Sequence, residues 1–327
     1  MNTSRPPSVS PTALSRASTT QRGVAVIAAL LIVALASLAV TGVLWRQQVL
    51  ARSVENQIAL AQSRWLARAA VDWARAILRD DALKTSIDHQ REFWAVPIGE
   101  TRISDAEGVQ GNEAWLSGGV ADEQGKFNLL NLATNGYVDN DSVASFRRLL
   151  SAVDLPETLA DRVADAIRLT QAQRDADGKV EPAKALPWLD VQDLAQVEGV
   201  DADTIERLKP HVAVLPRIDE QPTPININTA SAEVLYATIP TLSRAQSLEL
   251  AASRDKIYFN NTGDLQTRLT SVGATVPQTD LSGVVDVSTR YFRVQGRIRY
   301  ERALMHVESL VWRDSGGATR VLWMREG

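Results

Sequence analysis

The sequence contains no cysteine, so disulfide bonds and thiolate metal sites are excluded. Its three histidines, His89, His211 and His306, stand far apart in the chain. There is no Gly-x-Ser-x-Gly elbow, no glycine-rich phosphate loop with lysine and no His-x-x-x-His pair. The motifs of common hydrolases, nucleotide-binding enzymes and zinc enzymes are therefore missing, and we do not predict an enzyme.

Charge is also unevenly distributed. The first 23 residues lack acidic side chains but carry Arg5, Arg16 and Arg22. The whole chain has a net charge of −4, and the part after this segment stands at −7. An acidic remainder is a poor electrostatic match to nucleic acid or anionic lipid. We therefore expect no nucleic acid among the partners.

The stretch Val24–Leu44 has no charged residue and predicts a transmembrane helix. At about 1.5 Å per residue, it spans the roughly 30 Å hydrocarbon core of a bilayer. The arginines before it favour a cytoplasmic N-terminus, and Trp45 suits the membrane interface. The alternative is a secretory signal peptide, because Ala36–Ala39 offers a small-residue cleavage site, although such a peptide normally has a shorter apolar region.

The helical pattern continues beyond the membrane segment. No proline or glycine interrupts Val43–Leu83, so one helix is predicted from Val24 to about Leu78. In its second half, apolar residues recur at steps of three and four, and we expect this stripe to lie on a sheet. The stripe consists of Val54, Ile58, Ala61, Trp65, Ala69, Trp73 and Ile77.

A basic leader that ends in Arg22-Gly23 and precedes a long apolar helix resembles the type IV prepilins. The resemblance implies that prepilin peptidase cuts between Gly23 and Val24 and that the helix stays in the mature protein. Most members of this class have glutamate as the fifth mature residue, where this chain has Ala28. The lack of this glutamate is typical of the minor pseudopilin K family of type II secretion systems.

Three further segments resemble elements of the K family, and their order and spacing extend the resemblance over nearly the whole chain. They are residues 121–132 (ADEQGKFNLLNL), 189–199 (LDVQDLAQVEG) and 225–235 (ININTASAEVL). The resemblance implies a minor pseudopilin at the tip of a periplasmic pseudopilus, which initiates or caps filament assembly for protein export across the outer membrane. The implied partners are the sister minor pseudopilins I and J, with H nearby, and the inner-membrane assembly platform. A minor pilin of a type IV pilus is an alternative within the same class.

We expect an α+β fold in which the long N-terminal helix packs on a small antiparallel sheet. A large all-helical domain is expected to be inserted between strands. The predicted organisation is a leader (1–23), a transmembrane helix (24–45), the first part of a pilin-like module (46–128), an inserted helical domain (129–283) and the C-terminal strands of the module (284–327). The chain would cross the inner membrane once, with the soluble part in the periplasm.

Local patterns predict the individual elements. Short apolar runs at 92–103 and 113–121 predict the first strands, and alternation predicts the last ones at 292–299, 303–313 and 319–323. Helices are predicted at 139–152, 156–170, 191–196, 202–208, 231–237 and 243–253. Asp141, Asp201 and Thr229 are the expected N-caps.

Residues 193–201 and 227–242 resemble helix-hairpin-helix units. In DNA-binding versions, a Gly-hydrophobic-Gly hairpin lets backbone N–H groups approach a phosphate. Here Asp201 puts a carboxylate at the first hairpin, and Pro240 removes a donor from the second, which has no glycine. We favour a structural use of both units, and a membrane-anchored receptor for DNA binding or uptake is the competing class.

Asp175, Asp177 and Glu181 place three carboxylates in one loop with the turn-permitting Gly178. Oxygen ligands at alternating positions suit calcium. The K family's helical domain binds calcium, so the resemblance implies this ion, although the Trp-x-Asp before the family's loop and the aromatic pair after it are missing here. A solvated acidic loop is the alternative, because three ligands are few for the 6–8 oxygens that calcium takes.

A basic cluster accompanies the last strands, and it is made of Arg290, Arg293, Arg297, Arg299 and Arg302. We interpret it as the solvent-facing side of a half-buried sheet. A docking face for an acidic partner is the alternative.

Overall fold

The computed structural model describes residues 20–103, 113–174, 179–217, 221–278, 281–301 and 303–327. The chain divides into two compact units, Met1–Leu60 and Ala61–Gly327. Helix α1 (Thr20–Ala82) contributes to both units, and every described residue of the first unit belongs to it. The predicted single helix is confirmed, with slightly wider bounds.

Six more α-helices follow in the described ranges. They are α2 (Asn140–Ala152), α3 (Leu159–Leu169), α4 (Ala202–Leu208), α5 (Ala232–Thr238), α6 (Arg244–Lys256) and α7 (Thr262–Ser271). Short 3-10 helices lie at Phe93–Ala95, Leu129–Leu132 and Val191–Gln196. Sequence reasoning missed α7, because its two buried apolar residues, Leu265 and Leu269, are too few to give a periodic signal.

The N-caps of α2, α4 and α5 are residues whose side chains accept a hydrogen bond from a backbone N–H of the first turn. Asp201 was predicted correctly, and its carboxylate accepts from the Thr204 N–H at 2.8 Å. The cap of α2 is Asp139 instead of Asp141, because the Asp139 carboxylate accepts from Ser142 N–H at 2.7 Å. The cap of α5 is Ser231. The predicted cap, Thr229, lies outside that helix, since its hydroxyl is engaged elsewhere.

The strands are, in chain order, β1 (Ile98–Ile103), β2 (Ala114–Asp122), β3 (Phe127–Asn128), β4 (Ala133–Thr134), β5 (Tyr137–Val138), β6 (Gln173–Arg174), β7 (Val180–Glu181), β8 (Val212–Ala213), β9 (Ile225–Asn226), β10 (Val285–Asp286), β11 (Tyr291–Tyr300), β12 (Ala303–Arg313) and β13 (Thr319–Glu326). Five of them form an antiparallel sheet in the order β1-β2-β11-β12-β13. The other eight form four two-residue pairs.

The helical insert lies between two neighbouring strands. Asp122 at the end of β2 pairs with Phe292 near the start of β11, so residues 123–290 leave and re-enter the sheet at the same point. The expected fold class, a long helix on an antiparallel sheet with an inserted helical domain, is confirmed. The insert begins several residues before the predicted position 129, because β3 already pairs with β8 inside it. It ends after 283, because β10 still pairs with β9 inside it.

The described residues form three apolar cores. The smallest joins the insert to the sheet through Ala213, Leu215, Tyr291 and Leu310. The largest core fills the insert and includes Phe146, Leu194 and Val234. The second core joins α1 to one face of the sheet, where Trp94 contacts Phe292 edge to face at 5.3 Å between ring centroids. Burial of such side chains contributes roughly 25 cal/mol per Å² of apolar surface. Each part therefore has its own source of stability.

The sheet-facing side of α1 differs from the predicted one. Within the second unit the buried residues of α1 are mostly small, and they are Ser63, Ala67, Val71, Ala74 and Leu78. The predicted stripe lies on another face, where Trp65 and Trp73 are 70% and 46% exposed. Four residues turn an α-helix by about 400°, so a row of i, i+4 residues drifts around the axis. In unit 2 the predicted stripe meets the sheet only near Ile77, which is half-buried.

Candidate assembly surfaces

Two of the segments that carried the family resemblance meet at the base of the insert. The buried Asp122 carboxylate accepts from the Asn226 amide at 2.8 Å and from the Thr229 hydroxyl at 2.6 Å. Gly125 lies against Thr229 so closely that a Cβ atom would come within 2.7 Å of the Thr229 hydroxyl oxygen. Asn228 binds both backbone groups of Phe259. The contacts of Asp122 therefore fasten the insert to the sheet, and those of Gly125 and Asn228 hold the insert itself together.

Burial raises the pKa of the Asp122 carboxyl, and hydrogen bonds from Thr229, Thr289, Gln124 and Asn226 oppose that rise. A buried acceptor without these donors would be strongly destabilising. Asn226 and Thr229 thus have a structural role as donors to Asp122, which explains why these positions are polar.

A buried arginine links the end of α1 to the end of β12. Arg313 donates to Leu78 O at 3.0 Å and to the Asp81 carboxylate at 2.9 Å through Nη1. Its Nη2 donates to the Asp88 carboxylate at 2.5 Å and to Thr289 O at 3.3 Å. The guanidinium therefore joins α1, β12, the segment after α1 and the exit of the insert in one network.

Oxygens of Asp81, Asp88 and Glu92 lie within 4.8 Å of one another, a spacing that would suit a metal ion. Arg313 already provides the positive charge for this cluster, so we assign it a structural role. Burial raises the pKa of Asp88 to about 6, against the lowering effect of Arg313, and raises that of Glu92 to about 7. Sequence reasoning missed the cluster, because Arg313 is far from these carboxylates in the chain.

An apolar pocket of about 110 Å³ opens beside α1. It lies between α1, the segment 93–98, and strands β2 and β11, and Ala70, Ile77 and Trp94 line it. Gly118 and Gly296 also line it, and they face each other across β2 and β11. A Cβ on Gly118 would collide with Gln295 O, and one on Gly296 would lie 2.9 Å from Val307 Cγ1, so this close packing requires glycine at both positions.

The rim of the pocket is an exposed apolar surface. Phe93 is 71%, Val96 57% and Trp73 46% exposed. Contiguous surfaces of this kind mark interaction sites, and pockets between such residues are where interface energy concentrates. We call Trp73, Phe93 and Val96, with the pocket between them, the apolar patch.

The predicted processing residues lie in α1. Gly23, Val24 and Ala28 are exposed, and a Cβ added to Gly23 would meet nothing within 4 Å. Residues 23–58 of α1 are exposed on all sides, and Ser37 and Thr41 bond to carbonyls four residues back at 2.8 Å. In the described ranges α1 is the one helix long and apolar enough to cross a membrane. Cleavage after Gly23 stays a prediction.

The two hairpin units are used for packing. At the first, Arg162 of α3 donates to Glu198 O at 3.0 Å and covers Gly199. At the second, Arg148 of α2 donates to Tyr236 O and Leu242 O and lies over the Tyr236 ring at 4.0 Å. Carbonyl groups at both hairpins thus accept hydrogen bonds from arginines of neighbouring helices, which supports a structural use of the units.

The predicted calcium ligands are only partly visible. Asp175 and Asp177 lie outside the described residues, and Glu181 is exposed in β7, which pairs with β6. Calcium binding by these three residues stays a prediction.

The basic cluster is divided by its contacts. Arg293 binds Glu123 and Glu308 at 2.9 and 2.8 Å. Arg299 binds Glu100 at 3.0 Å and lies over the Trp115 ring. Arg297 is exposed and forms no ion pair with the described residues, and Arg302 lies outside them.

Comparison with known proteins agrees with these features. A family profile described as "Type II secretion system (T2SS), protein K" matches residues 125–217, and a second profile of that description matches residues 225–288. The chain is 30% identical over 322 residues to type II secretion system protein K of Pseudomonas aeruginosa, with 92% of each chain covered. It is 28% identical over 260 residues to type II secretion system protein K of Klebsiella pneumoniae, covering 70% of this chain and 74% of that one.

The fold also matches a solved structure. In the GspK-GspI-GspJ complex of enterotoxigenic Escherichia coli, one chain superimposes with a TM-score of 0.60 at 20% identity, covering 84% of this chain and 99% of that chain.

Proposed function

Because the chain belongs to the type II secretion system protein K family and is a minor pseudopilin, we propose that it initiates and caps the pseudopilus, with the sister minor pseudopilins I and J as partners. The solved relative is in a complex with GspI and GspJ. The observation that carries the proposal is the apolar patch, because three large exposed apolar residues around a pocket need a partner surface to cover them. The minor pseudopilin H and the inner-membrane assembly platform are further proposed contacts.

The proposed path to the filament starts in the inner membrane. Prepilin peptidase removes the leader after Gly23, and α1 then anchors the chain with its N-terminus in the cytoplasm and residues 46–327 in the periplasm. Ala28 cannot form the ion pair that a glutamate would make with the new N-terminus of a neighbouring pseudopilin. A pseudopilin without that pair suits the first position of a filament.

The proposed capping of the filament depends on the position of the inserted domain. Residues 123–290 leave the sheet where β2 ends and β11 begins, and this edge lies beside the C-terminal end of α1. A bulky domain at that end would block the addition of a further pseudopilin above it. The protein would act through surfaces of this kind, without catalysis.

The apolar patch can be tested by filling its pocket. Ala70 is half-buried and lines the pocket, so Ala70→Leu would occupy the space that a partner side chain needs. We expect the purified full-length variant in detergent to retain I and J at least tenfold less well than the unchanged chain. The readout is the amount of I and J co-purified with the tagged protein.

Ala61→Leu is the matched control, because Ala61 is exposed on α1 and lies outside the pocket. It should bind I and J normally. Equal binding by Ala70→Leu and Ala61→Leu would show that the apolar patch does not carry the contact.

A further inference from the structure

A second groove lies on the face of the sheet opposite α1. Its volume is about 940 Å³, and it separates the sheet from the insert. Lys126, Asp190 and Lys209 line it on the insert side, and Arg297 and His306 line it on the sheet side. Unlike the apolar patch, this groove is polar, so a hydrophobic helix or small apolar ligand would not suit it.

The carboxylates in the groove already have cationic partners. Glu123 accepts from Lys126 at 2.8 Å and from Arg293 at 2.9 Å, and Arg293 also binds Glu308 at 2.8 Å. Asp190 contacts Arg325 across the groove. Glu326 also lines the groove and contacts Arg64 and Arg68 of α1 at 3.5 and 3.9 Å. Each of the four carboxylate side chains that line the groove therefore already has a cationic partner.

Arg297 is an additional cation. It lines the groove, and among the described residues no carboxylate lies within ion-pair distance of it. Lys209, on the opposite wall, has only the exposed Glu206 of its own helical segment, at 3.4 Å. An exposed pair of this kind contributes little, so Lys209 remains available to a ligand. Five lysine and arginine side chains and four carboxylate side chains line the groove, so their sum is one positive charge, although the chain as a whole is acidic.

Strand register places polar side chains beside Arg297. Ser117 of β2 and His306 of β12 are its direct cross-strand neighbours. Such neighbours have Cβ atoms about 4.5–5.5 Å apart, so a hydroxyl, a guanidinium and an imidazole form one row. Gly119, in the next row, has no side chain, and a Cβ there would meet only Pro97 at 3.8 Å. The strand surface at the bottom of the groove is therefore unobstructed beside Arg297.

We propose that this groove binds an extended acidic segment of a sister minor pseudopilin, with an Asp or Glu carboxylate anchored on Arg297. A guanidinium holds a carboxylate with two parallel hydrogen bonds, and the groove leaves its donors free. Arg297 lines the groove and not the apolar pocket, so the groove offers a contact in addition to the apolar patch, and the two cavities adjoin at Pro97, Gly118 and Gly296. This inference rests on the proposed function, since it supplies the second contact of the same assembly.

The test compares two neighbouring arginines on the same face of β11. Binding of full-length protein in detergent to purified I–J complex is measured by biolayer interferometry at 50 and 500 mM NaCl. For Arg297→Gln we expect about tenfold weaker binding at low salt and loss of most of the salt dependence. Arg297→Lys, which keeps the charge but loses the two parallel bonds, should recover part of the affinity.

Arg299→Gln is the matched control, because Arg299 is already occupied by Glu100 and Trp115. It should bind nearly as the unchanged chain does. If Arg297→Gln and Arg299→Gln bind equally well, the groove assignment is wrong, although the proposed function stands. If the unchanged chain fails to bind I–J at either salt concentration, the proposed function itself is wrong.

Discussion

At the scale of single residues, polar groups at the junction between α1, the sheet and the insert determine much of the architecture. Arg313 and Asp88 are 5% and 1% exposed, so their ion pair is almost fully removed from water. Removing one partner of such a pair leaves an uncompensated buried charge and typically destabilises a protein by about 3–5 kcal/mol. The ion pair therefore fixes the end of β12 against the segment after α1, although the two are far apart in sequence.

Glu92 gives a prediction at this scale. Its carboxylate accepts from His89 N–H and Trp94 Nε1–H, yet burial raises its pKa to about 7. A raised pKa in the folded state means that folding favours the protonated acid. Its contribution to stability is complete below the ordinary pKa near 4.5 and is lost as the pH rises through about 7.

Glu92→Gln should therefore stabilise the protein at pH 7.5, on the order of 1–2 kcal/mol, and change little at pH 4.5. Denaturant unfolding followed by tryptophan fluorescence at both pH values measures this difference. Glu249→Gln, at an exposed position on α6, should have no effect at either pH. A variant less stable than the unchanged protein at pH 7.5 would show that Glu92 is ionised in the fold and needed by Trp94.

At the scale of elements, α1 has two apolar faces with different uses. The face of small residues, including Ala67 and Ala74, lies against the sheet, since small side chains let the helix approach closely. The face with Trp65 and Trp73 stays exposed. Periodicity marks both faces as apolar but cannot rank them, and the larger tryptophans directed the prediction to the wrong one.

The start of α1 carries a prediction about processing. If prepilin peptidase recognises the junction after Gly23, protein isolated from membranes begins at Val24, and Gly23→Val keeps its leader because a side chain blocks the cleavage site. Edman sequencing or mass spectrometry of the N-terminus reads both outcomes. A mature start near Val40 would indicate a secretory signal peptide instead.

Gly42→Val is the control for this experiment. Gly42 also lies in α1, and a Cβ there would meet nothing within 4 Å, so this variant should be processed normally. Processing of Gly23→Val at Val24, with normal secretion, would contradict membership in the prepilin peptidase pathway.

At the scale of the whole molecule, the insert has its own core and is held to the sheet by polar contacts and by a small apolar cluster of Ala213, Leu215, Tyr291 and Leu310. Its core shares no residue with the core beneath α1. Glu123 N–H donates to Tyr291 O at 2.9 Å, so the two ends of the insert are adjacent. Domains inserted at such points can often be removed without unfolding the host.

Excision of residues 124–288, with a short Gly/Ser linker from Glu123 to Thr289, tests the capping role. The sheet should still fold on α1, because Thr289 still donates to Asp88 and the core beneath α1 is intact. Asp122 loses its donors from the insert, but water can reach it once the insert is gone, and the lost contacts of Tyr291 and Leu310 with Ala213 and Leu215 should lower the stability without unfolding the sheet. We expect longer pseudopili in cells that overproduce the major pseudopilin, measured by electron microscopy, together with reduced secretion. Unchanged filament lengths, with the variant present in membranes and bound to I and J, would rule out capping by the insert.

The sequence by itself determined the elements whose signals are local and periodic. The uncharged run Val24–Leu44 and the lack of helix breakers up to Leu83 predicted α1, and alternation predicted β11 and β12. The order of the motif segments identified the family, which the comparison with Pseudomonas aeruginosa protein K confirms. These features depend on neighbouring residues, so a linear pattern is sufficient to find them.

Only the tertiary structure decided which distant residues meet. The pairing of Arg313 with Asp88, the contact of Asp122 with Asn226, and the pairing of Gly118 with Gly296 at the pocket all join residues separated by 100 or more positions. No periodicity encodes such contacts, because they arise from strand order and from the docking of the insert. The same reason explains why Arg297 is distinguished from Arg293 and Arg299 only in the folded chain: those two arginines have carboxylate partners among the described residues, and Arg297 does not.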